Sequence, residues 1–205
     1  MRTGIFTGTL IVVLTALLTV GELSVKENRA VMREYSRFAD AVEVAVDDAC
    51  EYLGLLMYDE QPVNSRRAEF LVNVFVEALA AALGKENAVY EAELKKMIAL
   101  FAVSDGKGSV LMGAHGGEDD WVAADGLKSA DEEAIAITGY LREKTGWSVG
   151  ETDYGIFLPD DTGLTGYKAA GGLSLLVCMK YKAGSFAGQN KDILVIRNAR
   201  IRNTV

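Results

Sequence analysis

The chain has 205 residues, half of them hydrophobic, and it carries a formal net charge of −8. This acidic balance argues against a nucleic-acid-binding surface and against binding of anionic lipid headgroups. The length allows one domain with a substantial core or two small ones, and only two prolines beside 21 glycines favour regular elements joined by glycine turns.

The first notable stretch runs from Thr3 to Gly21 and contains no charged residue. A helix of this length spans roughly 28 Å, close to the hydrocarbon thickness of a bilayer. We therefore expect residues 1–21 to form a transmembrane anchor surrounded by membrane lipid. Because Arg2 precedes the span, the positive-inside rule places the N-terminus in the cytoplasm and the rest of the chain outside. The alternative is a secretory signal cleaved near Thr19-Val20-Gly21.

Five small or polar residues share one narrow face of this predicted helix, at 100° per residue: Gly4, Gly8, Thr15, Thr19 and Glu22. Gly4 and Gly8 form a GxxxG step, which lets helix backbones approach closely in a membrane. This face predicts packing against a second copy of the chain or another single-span membrane subunit. The alternative is a chance pattern, because glycine and threonine are common in single spans.

After the anchor, apolar residues continue at helical spacing. A 4-3-4-3 pattern predicts a buried stripe on an amphipathic helix, made of Val31, Tyr35, Phe38, Val42, Ala45, Ala49, Tyr52 and Leu56. Gly21 and Gly54 are the places where this helix would bend, and Pro62 ends it. The predicted divisions are therefore the anchor at 1–21, a helical stalk at 22–61 and an extracytoplasmic domain at 62–205.

The residues after Pro62 first predict two helices. Asn64 or Ser65 caps a helix over 66–83 that ends at Gly84. Its expected buried side comprises Phe70, Leu71, Val74, Phe75, Ala78, Leu79 and Ala82. A short helix over 88–96 follows.

The pattern then changes to that of strands. Apolar runs at 97–103 and 109–112 flank the turn residues Asp105-Gly106-Lys107-Gly108 and predict a β-hairpin. A loop is expected over 113–128, and Ser129 with Glu132 forms a capping box for a helix to about Lys144. Further strands are predicted at 154–158, 173–182 and 192–202. The fold class is therefore α+β, with a mostly antiparallel sheet.

Candidate chemistry begins with His115, the only histidine, which lies near Glu118, Asp119 and Asp120. A metal site would use His115 with one of these carboxylates, and a hydrolase would use it as a base for a serine. Neither arrangement has the spacing of a known site, because HExxH and GxSxG are absent from the sequence. A solvated acidic loop is the simpler interpretation, and we predict neither a metal site nor a catalytic residue.

Two further sets of residues leave alternatives open. A calcium ion would be held by Asp119, Asp120 and Asp125, or by Asp160 and Asp161, although the EF-hand pattern is absent. Arg197, Arg200 and Arg202 predict either contact with an acidic loop of a neighbouring subunit or a strand edge kept soluble by charge.

The two cysteines, Cys50 and Cys178, fall on the predicted stalk helix and on a predicted strand. Two buried free thiols are the favoured interpretation. A disulfide is the alternative, since an extracytoplasmic domain would permit one.

The order of these N-terminal features resembles that of type IV pilins and pseudopilins, including minor pilins of the Tad type. A short leader, Met1-Arg2-Thr3-Gly4, precedes an uncharged helix, its amphipathic continuation and a strand-rich C-terminal part. The resemblance implies a processing junction between Gly4 and Ile5, cut by a prepilin peptidase. Thr9 stands where the family usually has a glutamate, and Ile5 replaces the usual Phe or Met. The resemblance covers at most residues 1–58.

These features predict a structural subunit or minor component of a membrane-anchored envelope assembly, which assembles through its N-terminal helix. The alternative is a tethered extracytoplasmic binding or sensing domain. We expect no enzymatic activity, no cofactor, no nucleic-acid partner and no small-molecule substrate, because no group of residues has the spacing of a catalytic or ligand site.

Overall fold

The computed structural model describes residues 2–57, 63–115, 121–145, 173–183 and 191–201. The elements in chain order are α1 (Arg2–Met57), α2 (Ser65–Ala82), α3 (Ala88–Met97), β1 (Ile98–Ser104), β2 (Val110–Gly113), β3 (Val122–Ala124), α4 (Ala130–Thr145), β4 (Ser174–Ala183) and β5 (Lys191–Arg200). The strands form one sheet in the order β3-β2-β1-β4-β5, and every pair with a described register is antiparallel. The predicted α+β class is confirmed.

The chain divides into two compact units. One comprises Met1–Arg37 with Lys182–Ile193, and the other comprises Phe38–Tyr181 with Leu194–Val205. In the first unit, the Arg33 guanidinium donates a hydrogen bond to the Arg29 carbonyl, 3.2 Å away, as neighbours one helical turn apart can. The core described below belongs to the second unit, which we call the globular unit.

The part of α1 inside the globular unit is an amphipathic helix. Its predicted stripe is confirmed from Phe38 to Ala49, since Phe38, Val42, Ala45 and Ala49 are buried. The prediction was wrong at the end of the stripe, where Leu53 is 1% exposed and Tyr52 is 47% exposed. The buried face is also wider than predicted, because it includes Ala39, Ala41, Val46 and Cys50.

Gly54 has a role in packing that the sequence pattern did not indicate. The helix α1 continues through both Gly21 and Gly54, so neither glycine ends it. A Cβ atom at position 54 would lie 2.7 Å from Ile201 Cδ1, closer than real Cβ contacts come. The missing side chain therefore lets the end of α1 lie close to the residue that follows β5.

The helix α2 begins as predicted, with the Asn64 side chain accepting a hydrogen bond from the Arg67 backbone N–H at 3.0 Å. It ends before Gly84, whose φ of 70° suits a glycine. Its buried residues are Ala68, Leu71, Val72, Phe75, Val76, Leu79 and Ala80. The predicted burial of Phe70 and Ala82 was wrong, since Phe70 is 46% exposed and Ala82 is exposed as well. The buried face is rotated away from Phe70, toward Ala68 and Val72.

The predicted hairpin is confirmed by β1 and β2, with Phe101 opposite Gly113 and Ser104 opposite Val110. The Asp105 carboxylate accepts hydrogen bonds from two backbone N–H groups of the turn, those of Lys107 at 2.7 Å and Ser109 at 2.9 Å. An aspartate that bonds to the backbone in this way stabilises a tight turn.

The loop predicted over 113–128 was wrong in part, because β3 pairs with β2 there. This strand has three residues, and Val122 and Ala123 are exposed. So short and exposed a strand leaves no apolar alternation for a sequence pattern to detect. The strand predicted at 154–158 lies outside the described residues.

Helices cover both faces of the sheet. On one face, α4 contributes Ile137, Tyr140 and Leu141 to a buried cluster that also contains Leu100, Ala102, Val110, Met112, Leu176 and Cys178. The predicted capping box starts α4, since the Ser129 hydroxyl accepts a hydrogen bond from the Glu132 N–H at 3.2 Å. On the other face, the rings of Phe75 in α2 and Phe101 in β1 meet edge to face at 5.9 Å.

One face of β5 is buried where its side chains are described. Val195 and Ala199 are buried, and Arg197, the charged exception on that face, donates to the Glu43 carboxylate of α1 at 3.2 Å. Both partners are partly exposed, so this ion pair contributes little to stability. The side chains of Arg200 and Arg202 lie outside the described part.

A pair of valines in α1 provides a stability test with a matched control. Val42 is fully buried and Val44 is 53% exposed. We expect Val42→Asp to lower the free energy of unfolding by roughly 3–5 kcal/mol, because it removes a carboxylate from water at a fully buried position. Val44→Asp should change it by less than about 1 kcal/mol. Denaturant unfolding of the two variants measures the difference, and equal losses would contradict the described burial of α1.

Candidate interaction site

The corner between α1 and α2 exposes a group of large apolar side chains. Tyr52 and Phe70 form an edge-to-face pair with ring centroids 6.4 Å apart. Leu55 lies one helical turn after Tyr52 and is 73% exposed. We call Tyr52, Leu55, Phe70 and the neighbouring Arg66 the corner patch. Apolar side chains that are grouped and exposed in this way are typical of a contact surface.

An open depression of about 400 Å³ lies beside the corner patch, lined by Leu56, Asn64, Arg66, Arg67 and Phe70. Arg67 is half-buried, and its guanidinium donates to the Leu56 carbonyl at 3.2 Å. The last carbonyls of a helix have no partner within the helix, so this arginine satisfies one of them and fixes the corner. Arg66 is exposed and has no ion-pair partner in the described part of the chain.

An acidic ridge on α1 adjoins the corner patch. This acidic ridge consists of the exposed residues Asp47, Asp48 and Glu51, whose helical spacing places them on one face of α1. The exposed Val44 and Leu55 lie on the same face, before and after the carboxylates. Although Asp47 is exposed, the neighbouring protein removes part of its hydration and so raises the pKa of its carboxyl, and the charges of Glu43, Asp48 and Glu51 raise it further. The ridge therefore concentrates negative charge that no described cation neutralises.

The structure tests little of the predicted chemistry at His115. This residue is exposed with a φ of 56°, and its backbone N–H donates to the Ile98 carbonyl at 3.1 Å. Glu118, Asp119 and Asp120 lie outside the described residues, as do Asp160 and Asp161. Within the described ranges, no three His, Cys, Asp or Glu side chains are grouped so as to hold a metal ion.

The prediction of two buried free thiols is confirmed. Cys178 belongs to the cluster on the α4 face, whereas Cys50 lies on α1 close to the Leu175 backbone, on the opposite face of the sheet. A disulfide between them would have to pass through the sheet. Burial raises the pKa of the Cys50 thiol to about 11, with a smaller contribution from Asp47. Burial also raises the pKa of Cys178.

Most of the predicted N-terminal packing face falls outside the side chains that the structure describes. Gly4, Gly8 and Thr15 belong to α1, as does the predicted Gly4–Ile5 junction, but only Thr19 and Glu22 have described side chains, and both are exposed. Among the residues that the structure describes, no helix is long and apolar enough to cross a membrane.

Comparison of the chain with protein-family models, with curated proteins and with solved structures gives no match in any of the three.

The sequence pattern did not indicate the corner patch, because the helical spacing of Tyr52 and Phe70 predicts that both are buried. One signal was present. Four large apolar residues lie within five positions of α1: Tyr52, Leu53, Leu55 and Leu56. Their side chains span too wide an arc around the helix to be buried on one face. At least one of them had to be exposed, and the exposed ones are Tyr52 and Leu55.

The state of the cysteines can be tested by alkylation. A thiol with a raised pKa has little reactive thiolate near neutral pH, and both thiols are also buried. At pH 7.5 we expect Cys50 and Cys178 in the folded protein to react at least ~100-fold more slowly than a thiol introduced by Lys107→Cys in the exposed turn. Mass spectrometry counts the labels before and after denaturation. Rapid native labelling of Cys50, or recovery of a Cys50–Cys178 disulfide, would show that the described packing is wrong.

Proposed function

We propose that this chain is a non-enzymatic component of a membrane-anchored envelope assembly. In this proposal residues 1–21 lie in the membrane, the N-terminus is cytoplasmic, and the bulk of the chain is extracytoplasmic. The face that carries Gly4, Gly8, Thr15, Thr19 and Glu22 then packs against another single-span subunit or a further copy of the chain.

The observation that carries this proposal is the continuity of α1. One helix of 56 residues contains both the uncharged stretch Thr3–Gly21 and the buried stripe that begins at Phe38. An independent tether is usually separated from its domain by a flexible linker rich in glycine, proline or polar residues. A helix shared by the uncharged stretch and the core favours a subunit that assembles through this helix.

The resemblance to type IV pilins supports the same proposal. An N-terminal helix followed by an antiparallel sheet agrees with the expected order of elements. Gly4–Ile5 remains the proposed processing junction, with Thr9 as a departure from the family pattern.

A tethered binding domain is the second candidate function, and the corner patch is the observation that favours it. Exposed apolar side chains beside an exposed arginine suit a protein partner. In that case the N-terminal helix would serve only to hold the binding domain at the membrane.

Gly8 provides the test that separates the two functions. Replacing it with leucine would hold two helix backbones apart, whereas the hydropathy of the span would still favour insertion. We expect Gly8→Leu to remain in the membrane pellet after alkaline extraction but to lose most of its chemically crosslinked higher-order species in membranes.

Thr9→Leu is the matched control, since position 9 lies about 100° away from Gly8 around the helix. It should crosslink like the wild type. If alkali extracts the wild-type protein from the membrane, residues 1–21 do not span the membrane, and this part of the proposal is contradicted. If Gly8→Leu and Thr9→Leu crosslink equally well, the helix is only a tether and the second function is favoured.

A further inference from the structure

The corner patch holds three large apolar side chains that lie beside one another. Tyr52 and Phe70 are each about half exposed, and Leu55 is exposed over most of its surface. Single exposed residues such as Val89 and Ile135 are ordinary for a protein surface. The corner patch differs because its members are neighbours, through the ring contact of Tyr52 with Phe70 and the helical spacing of Tyr52 and Leu55.

Charge indicates which partner would cover these side chains. The chain is acidic overall, yet the corner patch carries the exposed Arg66, which has no ion pair with a described residue. The acidic ridge carries Asp47, Asp48 and Glu51, which likewise lack a described cationic partner. The two surfaces are complementary in charge, and one molecule presents both.

The position of these surfaces favours symmetric pairing. The acidic ridge passes directly into the corner patch at Leu55, on the same face of α1. When complementary surfaces adjoin in this way, a two-fold axis between two copies brings each surface against the other twice. The apolar side chains near the axis then cover one another, and the charges lie around them, as in protein interfaces generally.

We propose that the corner patch and the acidic ridge together form a two-fold interface with a second copy of this chain. Arg66 of one copy contacts the Asp47, Asp48 and Glu51 carboxylates of the other, and Tyr52, Leu55 and Phe70 are buried between the copies. This interface belongs to the globular unit and does not depend on the membrane anchor.

A membrane surface is a poorer occupant of the corner patch. Cytoplasmic leaflets and many other bilayers carry anionic headgroups, which attract clusters of lysine and arginine. Here the apolar side chains adjoin three carboxylates and one exposed arginine, so the net local charge would oppose such binding.

The test uses the full chain in uncharged detergent. The expected result for the wild type is a concentration-dependent dimer, measured by sedimentation equilibrium, that weakens with added salt. We expect Arg66→Glu to raise the dimer dissociation constant at least tenfold. The variant should still fold, because a glutamate in the first turn of α2 suits the helix dipole. The matched control is Lys107→Glu, which makes the same charge change in an exposed turn and should leave the dimer unchanged.

Rescue and crosslinking identify the contact itself. Asp48→Arg combined with Arg66→Glu exchanges the two charges and should restore the dissociation constant to within about threefold of the wild type. A photoreactive amino acid at Leu55, in a mixture of ¹⁴N- and ¹⁵N-labelled chains, should give mixed-isotope crosslinks to α1 or α2 of the other copy.

Several results would overturn the interface. These are a monomer at all concentrations, equal effects of Arg66→Glu and Lys107→Glu, failure of the exchanged charges to restore the dimer, or crosslinks only within one chain or to detergent or lipid. The Gly8→Leu variant separates this proposal from the proposed function, because it should still form the dimer in detergent. Loss of the dimer in Gly8→Leu would assign self-association to the N-terminal helix and contradict the interface described above.

Discussion

The packing of α1 against the sheet, from Phe38 to Leu53, is the interaction on which the globular unit depends. The buried face of this segment is wider than the predicted 4-3-4-3 stripe. The segment contacts α2 and also the strands β4 and β5. Each fully buried valine or leucine side chain, such as those of Val42 and Leu53, stabilises the fold by roughly 1.5–3 kcal/mol. The close approach at Gly54 follows from the same packing, since it lets Ile201 reach the helix.

Burial of that face also determines what α1 exposes. With Leu53 directed into the core, Tyr52 and Leu55 are left at the surface, and α2 places Phe70 beside them. The hydrogen bond from Arg67 to the Leu56 carbonyl holds the two helices at this corner. The exposed apolar group is thus a consequence of how the core is built. The proposed interface would use it, and the carboxylates beside it supply the charge complementarity.

Sequence patterns predicted the class of the fold and most of its elements. The sequence was sufficient to predict the hairpin turn at Asp105 and the helix caps at Asn64 and Ser129. The side chains of such residues form hydrogen bonds with nearby backbone groups, so their effect is local. The buried faces of α1 and α2 could be predicted only in part. Whether Tyr52 and Phe70 are buried depends on which other element packs against them, and this is not encoded in the local pattern. The strand β3 left no signal, since its pairing with β2 is non-local and its side chains are exposed. Of the candidate site, only the density of apolar residues around Leu55 was visible in advance.

Hydrogen–deuterium exchange of the full chain, resolved to short peptides, tests the central claim that α1 from Phe38 to Leu53 is part of the core. Amides in one cooperative unit exchange through the same opening. We expect peptides from 38–53 to be protected to within about tenfold of peptides from β1 and β4. Exchange of 38–53 that is orders of magnitude faster than exchange of β1 would show that this part of α1 separates from the sheet and is not part of the core.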